Sequence, residues 1–259
     1  MRKGICLGCL PKELTLEQKF EVAKEAGFDG IEVPSVETDE EVEQFRELAT
    51  LYGLEIPSMM GSVHWKWPLS DPDPGVRLKC ADHMRRALRH GPMLGANTLL
   101  LVPAVVKEDV TYEEAMQRSK AEIAGLVPVA ETYGVVIAVE NVWNKFLLSP
   151  IEFCDYVDSF HSDFLKAYFD VGNIMLYGYP HHWIRSLGAS RLAKVHLKDF
   201  QVGPKRFVNL LEGDVPWREV VKALREIGYE DYLTVEVGME STDMVKETAR
   251  RVEQILEMG

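Results

Sequence analysis

Short apolar runs rich in β-branched residues alternate with longer stretches of helical periodicity along the whole chain, the pattern of repeated parallel βα units. The runs predict strands at Gly4–Cys9, Gly30–Pro34, Glu55–Met60, Thr98–Pro103, Val135–Val142, Ala167–Val171, Ala193–Leu197 and Tyr232–Val237. Between the first two, Thr15–Ala26 sets Phe20, Val22, Ala23 and Ala26 near one face, and Gly27 stops the helix. The stretches Glu40–Tyr52, Val76–Leu94, Tyr112–Tyr133 and Pro216–Ile227 likewise end at Gly53, Gly95, Gly134 and Gly228. Eight such units, with no Pro/Ser-rich linker and no break in composition, predict one closed (β/α)8 barrel over residues 1–259, a single α/β domain. An open doubly wound sheet would place a Gly-rich phosphate loop after its first strand, where this chain reads Leu10-Pro11-Lys12-Glu13-Leu14.

A barrel of this kind works at the C-terminal ends of its strands, so polar residues there are the ones to weigh. Four consecutive strands end in Val-Val-Ile-Ala-Val-Glu140-Asn141, Ala-Tyr-Phe-Asp170-Val-Gly-Asn173, Ala-Lys-Val-His196-Leu-Lys198-Asp199 and Leu-Thr-Val-Glu236-Val-Gly238. Any one of these residues alone has an ordinary explanation, as a helix cap or a hydrated rim group. Together they sit on neighbouring strands whose ends converge, and three carboxylates at one point repel strongly unless a cation neutralises them. The pattern therefore predicts one divalent metal held by Glu140, Asp170, His196 and Glu236. Three oxygens and one imidazole suit Mn2+ first, with Mg2+, Co2+ or Zn2+ as alternatives, and the lack of a thiolate argues against a purely structural zinc. Cys6-Leu-Gly-Cys9 has the spacing of half a zinc site, but no second pair follows it, so it reads as strand packing plus a rim residue.

Composition narrows the partners. With 29 Lys and Arg against 41 Asp and Glu, the net charge of −12 repels a phosphate backbone and argues against nucleic acid. Four scattered cysteines do not make a disulfide framework, and no apolar run approaches the roughly 20 residues of a membrane span. The apolar stretch at the start ends at Pro11 and Lys12, too short for a signal sequence. These features predict a soluble, cytoplasmic protein with a small-molecule substrate and no membrane partner.

The runs Val-Glu140-Asn, Phe-Asp170-Val-Gly-Asn, Val-His196-Leu-Lys-Asp-Phe and Thr-Val-Glu236-Val resemble the sugar-phosphate isomerase/epimerase superfamily, the xylose isomerase-like TIM barrels. Within it, Val195-His-Leu-Lys-Asp199, Arg206-Phe207-Val208, Glu212-Gly213-Asp214-Val215-Pro216-Trp217 and Gly228-Tyr229 are most similar to the L-ribulose- and L-xylulose-phosphate 3-epimerases. The stretch Pro57-Ser-Met-Met-Gly-Ser-Val-His64-Trp65-Lys66-Trp67-Pro68-Leu69 resembles the same group, in which a His after the third strand faces substrate. The resemblance implies a carbohydrate isomerase, a 3-epimerase or an aldose–ketose isomerase. In it a metal-stabilised enediolate forms, Glu140 and Glu236 serve as acid and base, and His64, Asn173, Lys198 and Arg206 contact substrate. It also implies a homodimer or homotetramer.

The free-ketohexose 3-epimerases carry a Glu, a His and an Arg where this chain has Phe146, Asn173 and Val202. Those changes point to a phosphorylated or otherwise different ketose, with Lys198, Lys205 and Arg206 as the nearest positive groups for a phosphate. Three other readings stay open at this point. They are metal-dependent elimination from an inosose or a 3-keto-glycoside, an AP endonuclease-type hydrolase, and a sugar-binding barrel without catalysis.

Overall fold

The computed structural model describes all residues from Met1 to Gly259. Eight parallel strands close into a barrel: β1 (Arg2–Cys6), β2 (Gly30–Pro34), β3 (Ser58–Met60), β4 (Thr98–Leu101), β5 (Val136–Glu140), β6 (Leu165–Asp170), β7 (Leu192–Leu197) and, last in the chain, β10 (Tyr232–Val235). Around the barrel the order is β1-β10-β7-β6-β5-β4-β3-β2, so each strand pairs with its neighbours in sequence once the hairpin β8 (Asp199–Gln201) and β9 (Arg206–Val208) is set aside. The chain thus forms the (β/α)8 barrel that its periodicity predicts. No helix is long and apolar enough to cross a membrane.

The helices are α1 (Leu16–Glu25), α2 (Asp39–Tyr52), α3 (Pro74–Leu94), α4 (Tyr112–Tyr133), α5 (Pro150–Asp158), α6 (Val171–Ile174), α7 (Pro180–Arg191), α8 (Trp217–Glu226) and α9 (Thr242–Glu257). Thr15, Thr38 and Thr111 each begin a helix with a reciprocal capping box, which satisfies backbone donors that the first turn leaves free. Gly95 and Gly134 end α3 and α4 with φ of 76° and 66°, a left-handed turn that costs a side-chain-bearing residue roughly 1 kcal/mol or more.

Several strands are shorter than their apolar runs. The first ends at Cys6 rather than Cys9, and Leu7–Cys9 turns into a 3-10 helix. The third is Ser58–Met60 rather than Glu55–Met60, with Glu55 joined to Gly30 by an isolated bridge, because Pro57 has no amide hydrogen to give the ladder. The fourth stops at Leu101, before Pro103, and the fifth at Glu140 rather than Val142.

Alternation divides the barrel into two environments. Outward residues such as Ile5, Ile31, Leu99, Ile137, Phe169 and Val195 join a core of 67 buried residues between strands and helices. The lumen holds only a small apolar cluster of Leu100, Ala138 and Tyr168. Glu32, Ser58, Lys194, His196 and Thr234 are among the buried polar groups in the rest of it, with Cys6 beside Glu32.

The β8–β9 hairpin, absent from the strand expectations, stands on one buried carboxylate. Asp199 Oδ1 accepts from the amides of Phe200 at 2.8 Å and Val215 at 3.3 Å, and Oδ2 accepts from Trp217 Nε1 at 3.0 Å. The loop before α8 passes so close that a Cβ on Gly213 would meet Asp199 Oδ1 at 2.1 Å and the Phe200 amide at 2.7 Å. Gly213→Ala is therefore expected to cost about 1–3 kcal/mol by overpacking. A fall in the urea midpoint at unchanged slope would show it; an unchanged midpoint would mean that the base of the hairpin yields.

Candidate metal centre and substrate site

The barrel ladder fixes how the four predicted ligands meet. Glu140 and Asp170 are the last residues of β5 and β6, His196 is the partner of Asp170 across the β6–β7 pair, and Glu236 follows β10 with its amide bonded to Leu197 O at 3.1 Å. One ligand atom from each of the four lies within 4.8 Å of the others. Four donors about 2.1 Å from a common ion lie roughly 3–4 Å apart, so the cluster is of the right size with a small contraction.

Asn141 holds the carboxyl ends of β5 and β6 in register. Its side-chain amide gives a hydrogen bond to Asp170 O at 2.8 Å and accepts one from Asp170 N at 2.7 Å, copying the ladder one step past the last backbone pair. Asp170 then divides its oxygens. Oδ1 accepts from Asn173 N at 2.7 Å and caps α6, which leaves Oδ2 facing the cluster.

Three inward atoms, Asp170 Oδ2, His196 Nδ1 and Glu236 Oε2, are buried without a hydrogen bond of acceptable geometry. Lys198 Nζ approaches Glu236 Oε2 at 2.7 Å and Asp170 Oδ2 at 3.3 Å, and His196 Nδ1 lies 2.9 Å from Glu236 Oε2 and 3.6 Å from Glu140 Oε1. Buried polar atoms in folded proteins almost always have partners, and lone pairs that converge on one point, where only Lys198 and the His196 ring now meet them, fit a cation. The residues present therefore fit a divalent metal.

The electrostatics agree. Burial raises the Glu140 carboxyl to about 7, against the pull of His196 and Lys198 and with the nearby Glu236 charge adding to the rise. Burial pushes Glu236 the same way, but His196 and Lys198 outweigh it and hold that carboxyl at about 2. For His196 desolvation favours the neutral ring, yet Glu32 and Glu236 reverse this and drive its pKa well up. A field that retains a proton so strongly attracts a metal cation for the same reason.

Glu32, which the sequence reading passed over, orients the imidazole. Its carboxylate, 1% exposed, accepts from Ser58 Oγ and Tyr168 Oη at 2.6 Å each and lies 2.9 Å from His196 Nε2. With Nε2–H held by Glu32, Nδ1 turns toward Glu140, Asp170 and Glu236, the carboxylate–histidine arrangement of metal sites. The signal was present as a lone acid in the apolar run Gly-Ile-Glu32-Val-Pro, at the inward position of its strand.

The other predicted residues are placed differently from one another. His64 is buried, its ring beside the Val102 amide at 3.5 Å and edge-on to Trp65, and the Glu236 charge acts on it. Lys198 lies at the cluster itself, with Nζ 5.5 Å over the ring of Phe207. Asn173 is buried and braces the loops instead, giving its Nδ2 hydrogen to Asn141 O at 3.0 Å and accepting at its carbonyl from Trp143 Nε1 at 2.9 Å. The structure does not bring Arg206 to the cluster. It bonds its cross-strand partner Gln201 at 2.9 Å, whereas Phe200 and Phe207 pack on Trp143 from the other face of the hairpin. Strand alternation turns Arg206 to the solvent side. Phe146, one of the positions that point away from a free ketohexose, is buried between Tyr112 and Tyr156.

Comparison with known proteins agrees with this architecture. The family model described as xylose isomerase-like TIM barrel matches residues 20–257. A putative L-ribulose-5-phosphate 3-epimerase of Escherichia coli K12 is 29% identical over 92% of this chain and 88% of its own. An L-ribulose-5-phosphate 3-epimerase of Escherichia coli O1:K1 is 24% identical over 93% of this chain and 88% of its own. Among solved structures, a D-tagatose 3-epimerase-like protein superposes with a TM-score of 0.87 at 20% identity, covering 99% of this chain and 97% of that one. The IOLI protein, whose structure holds a zinc atom, superposes with a TM-score of 0.82 at 18% identity over 99% and 98% of the two chains. At these identities the structural likenesses show the fold.

Burial lowers His64 to about 4, against the opposing pull of Glu236. An unfolded imidazole titrates near 6.5, so between these values the unfolded chain binds a proton that the folded chain refuses, and stability falls as pH drops. Relative to His64→Asn, the unsubstituted protein is expected to lose about 2 kcal/mol more between pH 7 and pH 5 in urea titrations. Equal losses in the two proteins would show that His64 is hydrated.

Proposed function

Because the chain belongs to the xylose isomerase-like TIM barrel family, we propose that it is a divalent-metal-dependent 3-epimerase of a ketose phosphate, L-ribulose 5-phosphate being the first substrate to test. One observation carries the reading. Glu140 and Glu236 come from β5 and from the end of β10, with β6 and β7 between them, and both reach the ring of His196, at 3.6 and 2.9 Å. Two carboxylates on either side of a bound ketose serve inversion, in which a proton leaves one face of a carbon and another returns to the opposite face. The relatives named as L-ribulose-5-phosphate 3-epimerases support the substrate class.

A carbon next to a ketone is too weak an acid to ionise at neutral pH unless the enediolate oxygen is stabilised. A divalent cation held by Glu140, Asp170, His196 and Glu236, with Mn2+ the first choice, would supply that stabilisation when bound. Glu236 takes the proton from the substrate carbon, and Glu140, arriving from beyond β7 and β6 around the barrel, returns one from the other side. The roles exchange in the reverse direction. Lys198 Nζ brings positive charge to the enediolate, and His64, neutral in its buried position, offers a hydrogen bond to a substrate hydroxyl.

Incubation of the Mn2+-loaded protein with L-ribulose 5-phosphate in D2O is expected to give the 3-epimer with deuterium at the inverted carbon. No exchange across a panel of ketoses and ketose phosphates would defeat the proposal, and a product lighter by one water would replace epimerisation with elimination. Glu140→Gln and Glu236→Gln are each expected to lower turnover by about 10^2–10^4 while substrate still binds. Glu32→Gln removes the charge that orients His196 and is expected to weaken Mn2+ binding by about 10–100-fold in calorimetry. Unchanged affinity would mean that the imidazole is held by other contacts.

A further inference from the structure

Apart from the four-residue cluster, the strand-end face carries a second chain of polar groups. Ser35 follows β2, Ser62 follows β3, Glu37 lies just before α2, and His83 and Arg86 are one turn apart on α3. Ser35 Oγ is 2.7 Å from His83 Nε2, and His83 Nδ1 is 2.9 Å from Glu37 Oε1, whose other oxygen pairs with Arg86. The Ser62 amide donates to Ser35 Oγ at 3.1 Å, and the Ser62 hydroxyl donates to Ser35 O at 3.1 Å. Ser35 and His83 are buried, whereas Glu37 is exposed.

These contacts have one consistent direction. An ionised carboxylate only accepts, so Nδ1 of His83 carries the ring hydrogen and Nε2 is an acceptor. Of the two hydroxyls near Nε2, Ser35 at 2.7 Å is closer than Ser62 at 3.4 Å, and with the Ser62 hydrogen given to Ser35 O, Ser35 gives its own to Nε2 and receives the Ser62 amide on a lone pair. Burial lowers the pKa of His83 against the pull of Glu37, consistent with a neutral ring. The turn that follows β3 is thereby held at two successive residues. Gly61 N donates to Leu100 O at 3.0 Å, where a Cβ would meet that oxygen at 2.5 Å, and Ser62 N is held by Ser35. Two residues on stands His64.

We propose that Glu37, His83 and Ser35 form a positioning relay that, through Ser62, sets His64 in place over the site and so governs substrate binding. This rests on the reading of His64 as a substrate contact.

Three variants of the Mn2+-loaded, full-length protein separate the relay from plain packing. Ser35→Ala removes the central hydroxyl, His83→Phe keeps bulk without an acceptor, and His83→Gln places an amide oxygen where Nε2 stood. Ser35→Ala and His83→Phe are expected to raise KM for L-ribulose 5-phosphate about tenfold with kcat changed less than about threefold, and His83→Gln to recover most of the loss. In a His64→Ala background Ser35→Ala is expected to add nothing, since both changes act on one contact. Losses that multiply, or a His83→Gln as weak as His83→Phe, would overturn the relay. The imidazole 15N resonances of His64, recorded on the Mg2+-loaded protein because paramagnetic Mn2+ would broaden them away, give a readout free of turnover. They should move in Ser35→Ala and His83→Phe and stay in His83→Gln, and no movement in any variant overturns the relay whatever the activity. Movement in a protein that epimerises no sugar of the panel would leave the relay standing and defeat the epimerase reading.

Discussion

Four carboxylates, Glu32, Glu140, Asp170 and Glu236, crowd around one imidazole at the top of the barrel, and three of them are more than nine-tenths buried. Like charges so close and so dry cannot coexist without positive charge among them. The fold meets this constraint unevenly. Glu32 keeps its charge because Ser58, Tyr168 and His196 all turn hydrogens toward it. Glu236 keeps its charge through His196 and Lys198, and Glu140, with the weakest support, is the one whose proton stays near neutrality. The inequality between two chemically identical side chains thus follows from where their strands end, not from the residues themselves.

The polar lumen has a counterpart above it. Trp143 stacks on Phe207 at 4.9 Å and meets Phe200 edge-on at 5.6 Å, so the hairpin lays an apolar surface beside Lys198. Asp199, next in sequence to Lys198, faces the other way and ties the same hairpin to the start of α8. Neighbouring residues therefore serve opposite ends of one device, a charge turned into the site and a charge turned into the scaffold. Phe207 covers part of the Lys198 side chain, which is 16% exposed, and reduced hydration strengthens its ionic contacts.

The barrel and its four inward donors were legible because each depends on local order: β-branched runs, glycine stops, and an abrupt acid or histidine at a strand end. Strand limits were less so. Pro57 interrupts the ladder inside a run that reads as continuous, and beyond Glu140 a side chain replaces the backbone pairing. Glu32 escaped because one acid within five residues looks like noise until the parity of all eight strands is known and places it in the lumen. The place of Arg206 away from the cluster was hidden in the opposite way. Its charge made it attractive, but the hairpin that turns it away exists only because Asp199 meets Val215 and Trp217, contacts 16 and 18 residues away in sequence. No window of local pattern contains that information. The Ser35–His83–Glu37 chain was invisible for the same reason, since α3 stands 48 residues from β2 at that contact.

The Asn141 amide has a mechanical consequence. By carrying the hydrogen-bond ladder one step beyond its last peptide pair, it welds the tips of β5 and β6, so that Glu140 and Asp170 are held as parts of one rigid plate. The reach between those two carboxylates is then insulated from whatever happens in the surrounding loops.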